Sequence, residues 1–302
     1  MVAGEGMGSG LRWSRRGLLA GATALSLAGC GRKDAKPDAD KPPAKTGPMT
    51  LATAAKGDWR SPADRARDVW RHPVESLEFW GLKPGQTVVE FWPGAGWYTD
   101  ILAPYLAATG GKLYAASLQT NLPDDPAAKA AVEEYQRKLA DKKKLYGDVV
   151  VTAFGPTSGP VAPAGSADLV LFLRNLHNWM AAGLAEKAFR EALIALKPGG
   201  VLGVEEHRGE PGRVQDLLAA DGYVQQAYVI EMARETGFVL AGESEINANP
   251  KDTKDHPFGV WTLPPTRLSA PRGEPAEPGF DHAKYDAIGE SDRMTLKFVK
   301  PR

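Results

Sequence analysis

The chain has 302 residues, 43% of them hydrophobic, with 37 basic and 37 acidic side chains and a single cysteine. That length and apolar content suit one folded domain with an ordinary core rather than a disordered tail. Balanced charge leaves no electrostatic footprint for nucleic acid, and one cysteine excludes a disulfide framework.

Residues 1–29 read as an export signal. Arg15-Arg16 precede a short apolar run, Gly17 to Ala28, and small residues follow. Ser14-Arg15-Arg16-Gly17-Leu18-Leu19 resembles a twin-arginine signal. Leu27-Ala28-Gly29-Cys30 resembles the lipobox of bacterial lipoproteins, in which the cysteine is lipidated. The apolar run is shorter than the ~20 residues that span a bilayer. The expectation is a periplasmic protein held to a membrane by lipid on Cys30. Gly31 stands where inner-membrane retention would place Asp, which favours the outer membrane. Loss of the leader removes three arginines and one glutamate and leaves the chain slightly acidic. Residues 30–57 are rich in Lys, Pro, Ala and Asp and read as a flexible tether, with the folded domain at 58–302.

Ser61-Pro62 is a helix start, an N-cap hydroxyl before proline. Helices are expected over 62–70 and 73–80, broken at Pro73, and a strand over 87–91. Then come a helix over 97–107, a strand over 112–117, a long charged helix over 126–146, and strands over 148–154 and 168–173. A helix over 183–196 ends in the turn Lys197-Pro198-Gly199-Gly200, before a strand over 201–205. A helix over 221–236 and strands over 238–243 and 294–299 complete the chain. Alternating strands and helices predict an α/β fold, a doubly wound parallel sheet covered on both faces. Residues 247–291 interrupt that alternation, and a loop of that length is either functional or disordered.

In such a sheet, ligands bind beyond the carboxyl ends of the strands, where strand order reverses. The first strand-to-helix turn is VVEFWPGAGWYT, residues 88–99. Dinucleotide dehydrogenases want GxGxxG, but Thr99 occupies the third glycine position, which counts against NAD. An acid followed by glycines at alternating positions fits a methyl-donor loop, except that Trp92 replaces the first glycine. Trp92 precedes Pro93 and is expected to be extended. Trp92, Trp97 and Tyr98 are expected to form an aromatic wall.

On residues 67–106, 168–179 (DLVLFLRNLHNW), 195–208 (ALKPGGVLGVEEHR), 223–252 and 292–301, the chain resembles class I S-adenosylmethionine-dependent methyltransferases. It resembles more closely a bacterial group of predicted methyltransferases that often carry export signals. The resemblance implies a seven-stranded Rossmann-like sheet with an N-terminal helical cap, and S-adenosylmethionine as cofactor. It implies that Gly94 and Gly96 admit the cofactor's methionine end and that Glu90 meets its ammonium group. The acid that grips the ribose is replaced by Ser117, with Gln119 nearby. No acid follows strand three, where Phe154 would stack on or pack against adenine.

Asn175 and His177 follow strand four, and Glu206 and His207 end strand five. These four would border a small-molecule acceptor. His177 has two readings, a general base near neutral pH or a helix cap or core hydrogen-bonding group. Glu205, His207 and His177 would make a three-ligand metal set, but no tight motif such as HExxH marks one, and no metal is expected. His72 has two readings, part of a roof that the preceding helices form over the site, or a surface helix end, which is favoured. His256 and Trp261 lie in the long insertion, which would fold over the pocket as a lid. Two functions are compatible with this pattern. One is methyl transfer to an unidentified acceptor. The other is a non-enzymatic, lipid-anchored binding protein that keeps the fold and holds another small ligand.

Overall fold

A computed structural model describes residues 49–120 and 126–302. The export signal, Cys30 and most of the expected tether lie outside the described residues. Residues 49–57, expected to end the tether, instead carry helix α1 (Leu51–Ala55), whose Leu51, Ala54 and Ala55 are buried. A reciprocal Thr50–Thr53 capping box starts it. Composition averaged over a lysine- and proline-rich stretch hid this short apolar turn.

Helices α2 (Pro62–Ala66), α3 (Asp68–Arg71) and α4 (Pro73–Trp80) follow. Pro73 opens α4 and Gly81, at φ +85°, closes it, so this helix keeps the bounds expected from sequence. The strands are β1 (Thr87–Phe91), β2 (Lys112–Leu118), β3 (Val150–Phe154), β4 (Ala167–Leu173), β5 (Leu196–His207), β6 (Val239–Ser244) and β7 (Arg293–Val299). The remaining helices are α5 (Thr99–Thr109), α6 (Pro126–Asp141), α7 (Lys143–Tyr146), α8 (Leu176–Ala181), α9 (Ala185–Ala195), α10 (Gln226–Thr236) and α11 (His282–Asp286). The single helix expected over 126–146 is two, α6 and α7. The Lys-Pro-Gly-Gly turn lies within the irregular start of β5, where pairing with β4 shifts register.

The sheet order is β3-β2-β1-β4-β5-β7-β6. The first five strands are parallel, and β7 runs antiparallel between β5 and β6. The sheet is therefore mixed, not wholly parallel as the alternation suggested. Strand order reverses between β1 and β4, which opens a crevice at their carboxyl ends.

Each face of the sheet has its own core. In β1, Val89 and Phe91 join one cluster with α8, α9 and α10, while Val88 joins the other with α1, α4, α5 and α7. The same alternation sorts β5. Leu202 and Val204 face the α8–α10 side. Gly203 faces α4, and a Cβ there would come within 2.6 Å of the Trp80 ring. Glu205 follows Gly203 onto that face, and Glu206 follows Val204 onto the other.

The insertion over 247–291 is held by side chains rather than by ladders. Asn247 donates to Thr295 and Ser76, and Asn249 to the Ile288 and Glu290 carbonyls. Tyr223 and His256 both bond Asp252. His256 is thereby a structural group inside the insertion. His72, at φ +36° between α3 and α4, bonds Asn247 at 3.3 Å and is half-buried. Among the described residues, no helix is long and apolar enough to cross a membrane.

Candidate functional site

The crevice is a cleft of about 280 Å³ lined by the loop Trp92–Ala95, by Leu173–Asn175 after β4, and by Asp64, Arg67 and Trp97. The α2–α3 roof thus brings an acid and a base over the glycine loop. Neither was singled out from sequence, because they lie about thirty residues before the loop and carry no local motif.

The loop itself is left-handed at three positions: Trp92 (φ +45°), Gly94 (φ +58°) and Gly96 (φ +82°). The backbone keeps at Trp92 the conformation that a glycine would adopt freely, not the extended one expected before proline. Trp92 N–H donates to the Ala116 carbonyl and its indole N–H to the Phe154 carbonyl, both across the β1–β2–β3 edge. The ring packs edge-on against Trp179, 5.8 Å between centroids. These contacts hold a conformation that costs about 1–2 kcal/mol in a non-glycine residue. Trp92→Gly relieves that strain but loses a half-buried ring and a hydrogen bond, together about 3 kcal/mol. A net destabilisation of about 1–2 kcal/mol is expected by urea denaturation.

The two glycines differ. Gly94 is exposed, and a Cβ there meets nothing within 4 Å, so it opens onto the cleft. Gly96 is buried and faces α6, where a Cβ would meet Tyr135 at 3.0 Å and Lys138 at 3.2 Å. Lys138 donates to the Ala95 and Gly96 carbonyls and to Asp100, fastening the loop from outside. Gly96 therefore shapes the turn and does not line the cleft as expected.

Glu90 also departs from expectation. It is buried beneath the loop and accepts a 2.7 Å hydrogen bond from Thr99, which is itself 3.0 Å from the Tyr135 hydroxyl. Burial pushes its carboxyl up to about 7, against the opposing pull of the Thr99 bond. Among cleft-lining side chains, the acid is Asp64.

The aromatic wall is divided. Trp92 lies in the cluster with Phe154 and Trp179, while Trp97 meets Tyr98 edge-on at 4.7 Å and lies under the Arg60 and Arg71 guanidiniums. Tyr98 is buried and donates to Glu205 at 3.0 Å. Phe154 is fully buried among Phe91, Trp92 and Trp179, so it has no free face for adenine. Ser117 is buried at the end of β2. Gln119 donates to Thr157 and accepts from its backbone N–H, closing the β2 and β3 turns together.

Beside the cleft, Asn175 lines the wall and donates to the Trp92 carbonyl at 3.0 Å, so it holds the loop. His177, in α8, is buried. Its Nδ1 lies 2.9 Å from Glu206 Oε1, and Trp261 of the insertion packs against its ring at 5.9 Å. Glu206 Oε2 accepts the Leu176 and His177 backbone N–H groups and so caps α8 from a neighbouring strand. His207 Nδ1 lies 2.5 Å from Ser291 Oγ, and burial, then His177 and Arg293, hold its imidazole well below its ordinary value. The expected partnership of Glu205 with His207 fails, because Glu205 is engaged by Tyr98, Arg174 and Arg293 while His207 turns to Ser291. Glu206 bends along its own strand instead, accepting the His207 N–H at 2.8 Å.

No family model matches the chain, and no curated protein matches it. Solved structures do match. The chain is similar to the [4+2]-cyclase SpnF (17% identity, TM-score 0.52, 82% of this chain and 85% of that one). It is similar to a putative sarcosine dimethylglycine methyltransferase from Galdieria sulphuraria (13%, TM-score 0.50, 78% and 85%). A methyltransferase from Aquifex aeolicus aligns at 20% identity and TM-score 0.48, over 66% of this chain and 94% of that one. At these identities the similarity is one of fold alone, and the fold is the Rossmann-like methyltransferase fold.

Proposed function

We propose that this chain binds S-adenosylmethionine in the cleft at the β1–β4 switch point and transfers its methyl group to a small-molecule acceptor. The observation that carries this reading is the charge pattern of the cleft. Arg67 and Arg174, each with part of its guanidinium on a buried glutamate, line the cleft with donors for a carboxylate, Asp64 offers a carboxylate to an ammonium, and the exposed Gly94 leaves its backbone open. That set complements the zwitterionic amino-acid end of the cofactor. When bound, the cofactor supplies an activated methyl on a sulfonium. The protein's part is to position the acceptor in line with it. Asn175 steadies the loop, and His177, oriented by Glu206, is the base for an acceptor that must lose a proton. We further propose that the protein works outside the cytoplasm, lipid-anchored through Cys30, in keeping with its leader.

Calorimetric titration of the full chain with S-adenosylmethionine and S-adenosylhomocysteine tests this. Both are expected to bind, Gly94→Trp to abolish binding by filling the cleft, and Trp92→Gly to retain it. Absence of binding by either ligand at millimolar concentration would falsify the reading.

A second reading rests on the buried Phe154 and on Gln119, which is tied to Thr157. The usual adenine and ribose contacts are spent inside the protein. A binding protein for another amino-acid-like ligand would keep the cleft and dispense with them. That a protein named a cyclase shares this fold supports such divergence. Adenosine is then expected not to compete for the cleft, whereas in the methyltransferase reading it competes.

A further inference from the structure

Glu206 is fully buried, and among the described residues its ion pairs are with His177 and His207 and with no lysine or arginine. A carboxylate taken out of water needs a compensating charge. Backbone N–H groups of Leu176 and His177 satisfy Oε2, and that of His207 takes one lone pair of Oε1. The second lone pair of Oε1 faces His177 Nδ1 at 2.9 Å and His207 Nε2 at 4.0 Å.

We propose that His177, Glu206 and His207 form a binding site for a divalent transition-metal ion of the zinc type, beside the cleft. Metal–nitrogen and metal–oxygen bonds run about 2.0–2.2 Å, so around a tetrahedral ion two ligand atoms stand about 3.4 Å apart. The two distances from Glu206, 2.9 and 4.0 Å, lie on either side of that spacing. The three ligand atoms lie within 4.8 Å of one another, so closing the set takes side-chain shifts of about an ångström. The orientation of His207 also fits. Its Nδ1 is engaged by Ser291, which leaves Nε2 to point at the carboxylate, the outer bond that ordinarily fixes a metal-ligating imidazole. Two imidazoles and one carboxylate suit zinc, iron, cobalt or nickel rather than magnesium or calcium. Three protein ligands leave a coordination position open, as in catalytic rather than structural sites. A proton between His177 and Glu206 is the competing occupant. It accounts for one of the two histidines, whereas a metal ion accounts for both.

The site takes the His177–Glu206 pair in place of its role as a base in the cofactor reading, and it is tested without the cofactor. The full chain is stripped with a chelator and dialysed against Zn²⁺, with Co²⁺ as a spectroscopic substitute. One ion per chain is expected at micromolar free metal, with cobalt bands in the visible. His207→Ala lies at the half-buried rim of the site and is expected to weaken binding by at least about 100-fold without unfolding. His72→Ala, at the α3–α4 junction, is expected to bind as the parent does. Sub-stoichiometric binding, or equal affinity in His207→Ala and the parent, overturns the proposal and leaves the proton as the occupant.

Discussion

Glu205→Ala is expected to cost about 3–5 kcal/mol of unfolding free energy, the loss that follows when one partner of a buried ion network is removed. Glu205 is fully buried on the α4–α5 face of β5. It accepts from Tyr98 and from Arg174, each at 3.0 Å, and lies 3.3 Å from Arg293 Nε. Arg293 is itself buried and pairs with Glu290, which also takes Arg67, at the α2–α3 junction of the roof, and Arg71 of α3. Four arginines thus share two glutamates, and the roof, the insertion's end, β7, β5 and the glycine loop meet in one network. Without Glu205, Arg174 loses its paired carboxylate and Arg293 keeps Glu290 alone, and Arg293 is too enclosed to hydrate. Glu205→Gln keeps an acceptor for Tyr98 and is expected to lose less. Urea denaturation of the three proteins decides the matter. A loss below about 1 kcal/mol for Glu205→Ala would mean that the charges are screened as at a surface. Because Arg67 and Arg174 both line the cleft, the same substitution is expected to weaken S-adenosylmethionine binding even where the protein remains folded.

The parts of the fold that follow local rules were legible in the sequence. Thr87–Phe91 is a β-branched and apolar run between two glycine turns, and it forms β1 within those bounds. Pro73 and Gly81 bracket α4 for reasons internal to a helix. The loop was legible as a ligand loop because its glycines sit after a strand. What the sequence hid depends on long-range partners. The short helix α8 has no capping side chain of its own and takes Glu206 from thirty residues downstream. Asp64, Arg67 and Lys138 come to the loop from two helices distant in the chain. Glu90 looks like a ligand group in the motif, yet Thr99 and burial claim it. Trp92 obeys the backbone demand of the loop over the preference set by the following proline. The split of Glu205 from Glu206 follows strand alternation, but the pairing of Glu206 with His207 required knowing that a side chain can run along its strand.

Glu90→Gln is expected to stabilise the protein above neutral pH and to cost about 1 kcal/mol in acid. The sign follows from proton counting. Burial raises the folded-state carboxyl from 4.5 to about 7, so between those values the folded chain holds a proton that the unfolded chain has released. Stability therefore falls as pH rises through that window and is level above it. The displacement is worth about 3 kcal/mol at most. A glutamine keeps the acceptor for Thr99 but leaves its amide N–H groups without an evident partner, which returns about 1 kcal/mol. The net gain above pH 7 is about 2 kcal/mol, or about 4–8 °C in melting temperature for a domain of this size. Below pH 4.5 both forms are neutral at this position, and the gain gives way to the amide's cost. Scanning calorimetry across that range reads the slope directly, and parallel curves for parent and variant would show that Glu90 is ionised throughout. The same carboxyl couples to the proposed cofactor. An ammonium brought into the cleft favours the ionised form, so binding near pH 7 is expected to release protons from the parent and none from Glu90→Gln. That release is measured as a dependence of the binding enthalpy on the ionisation heat of the buffer. It separates a carboxyl that serves the ligand through the loop from one that only fills the space beneath it.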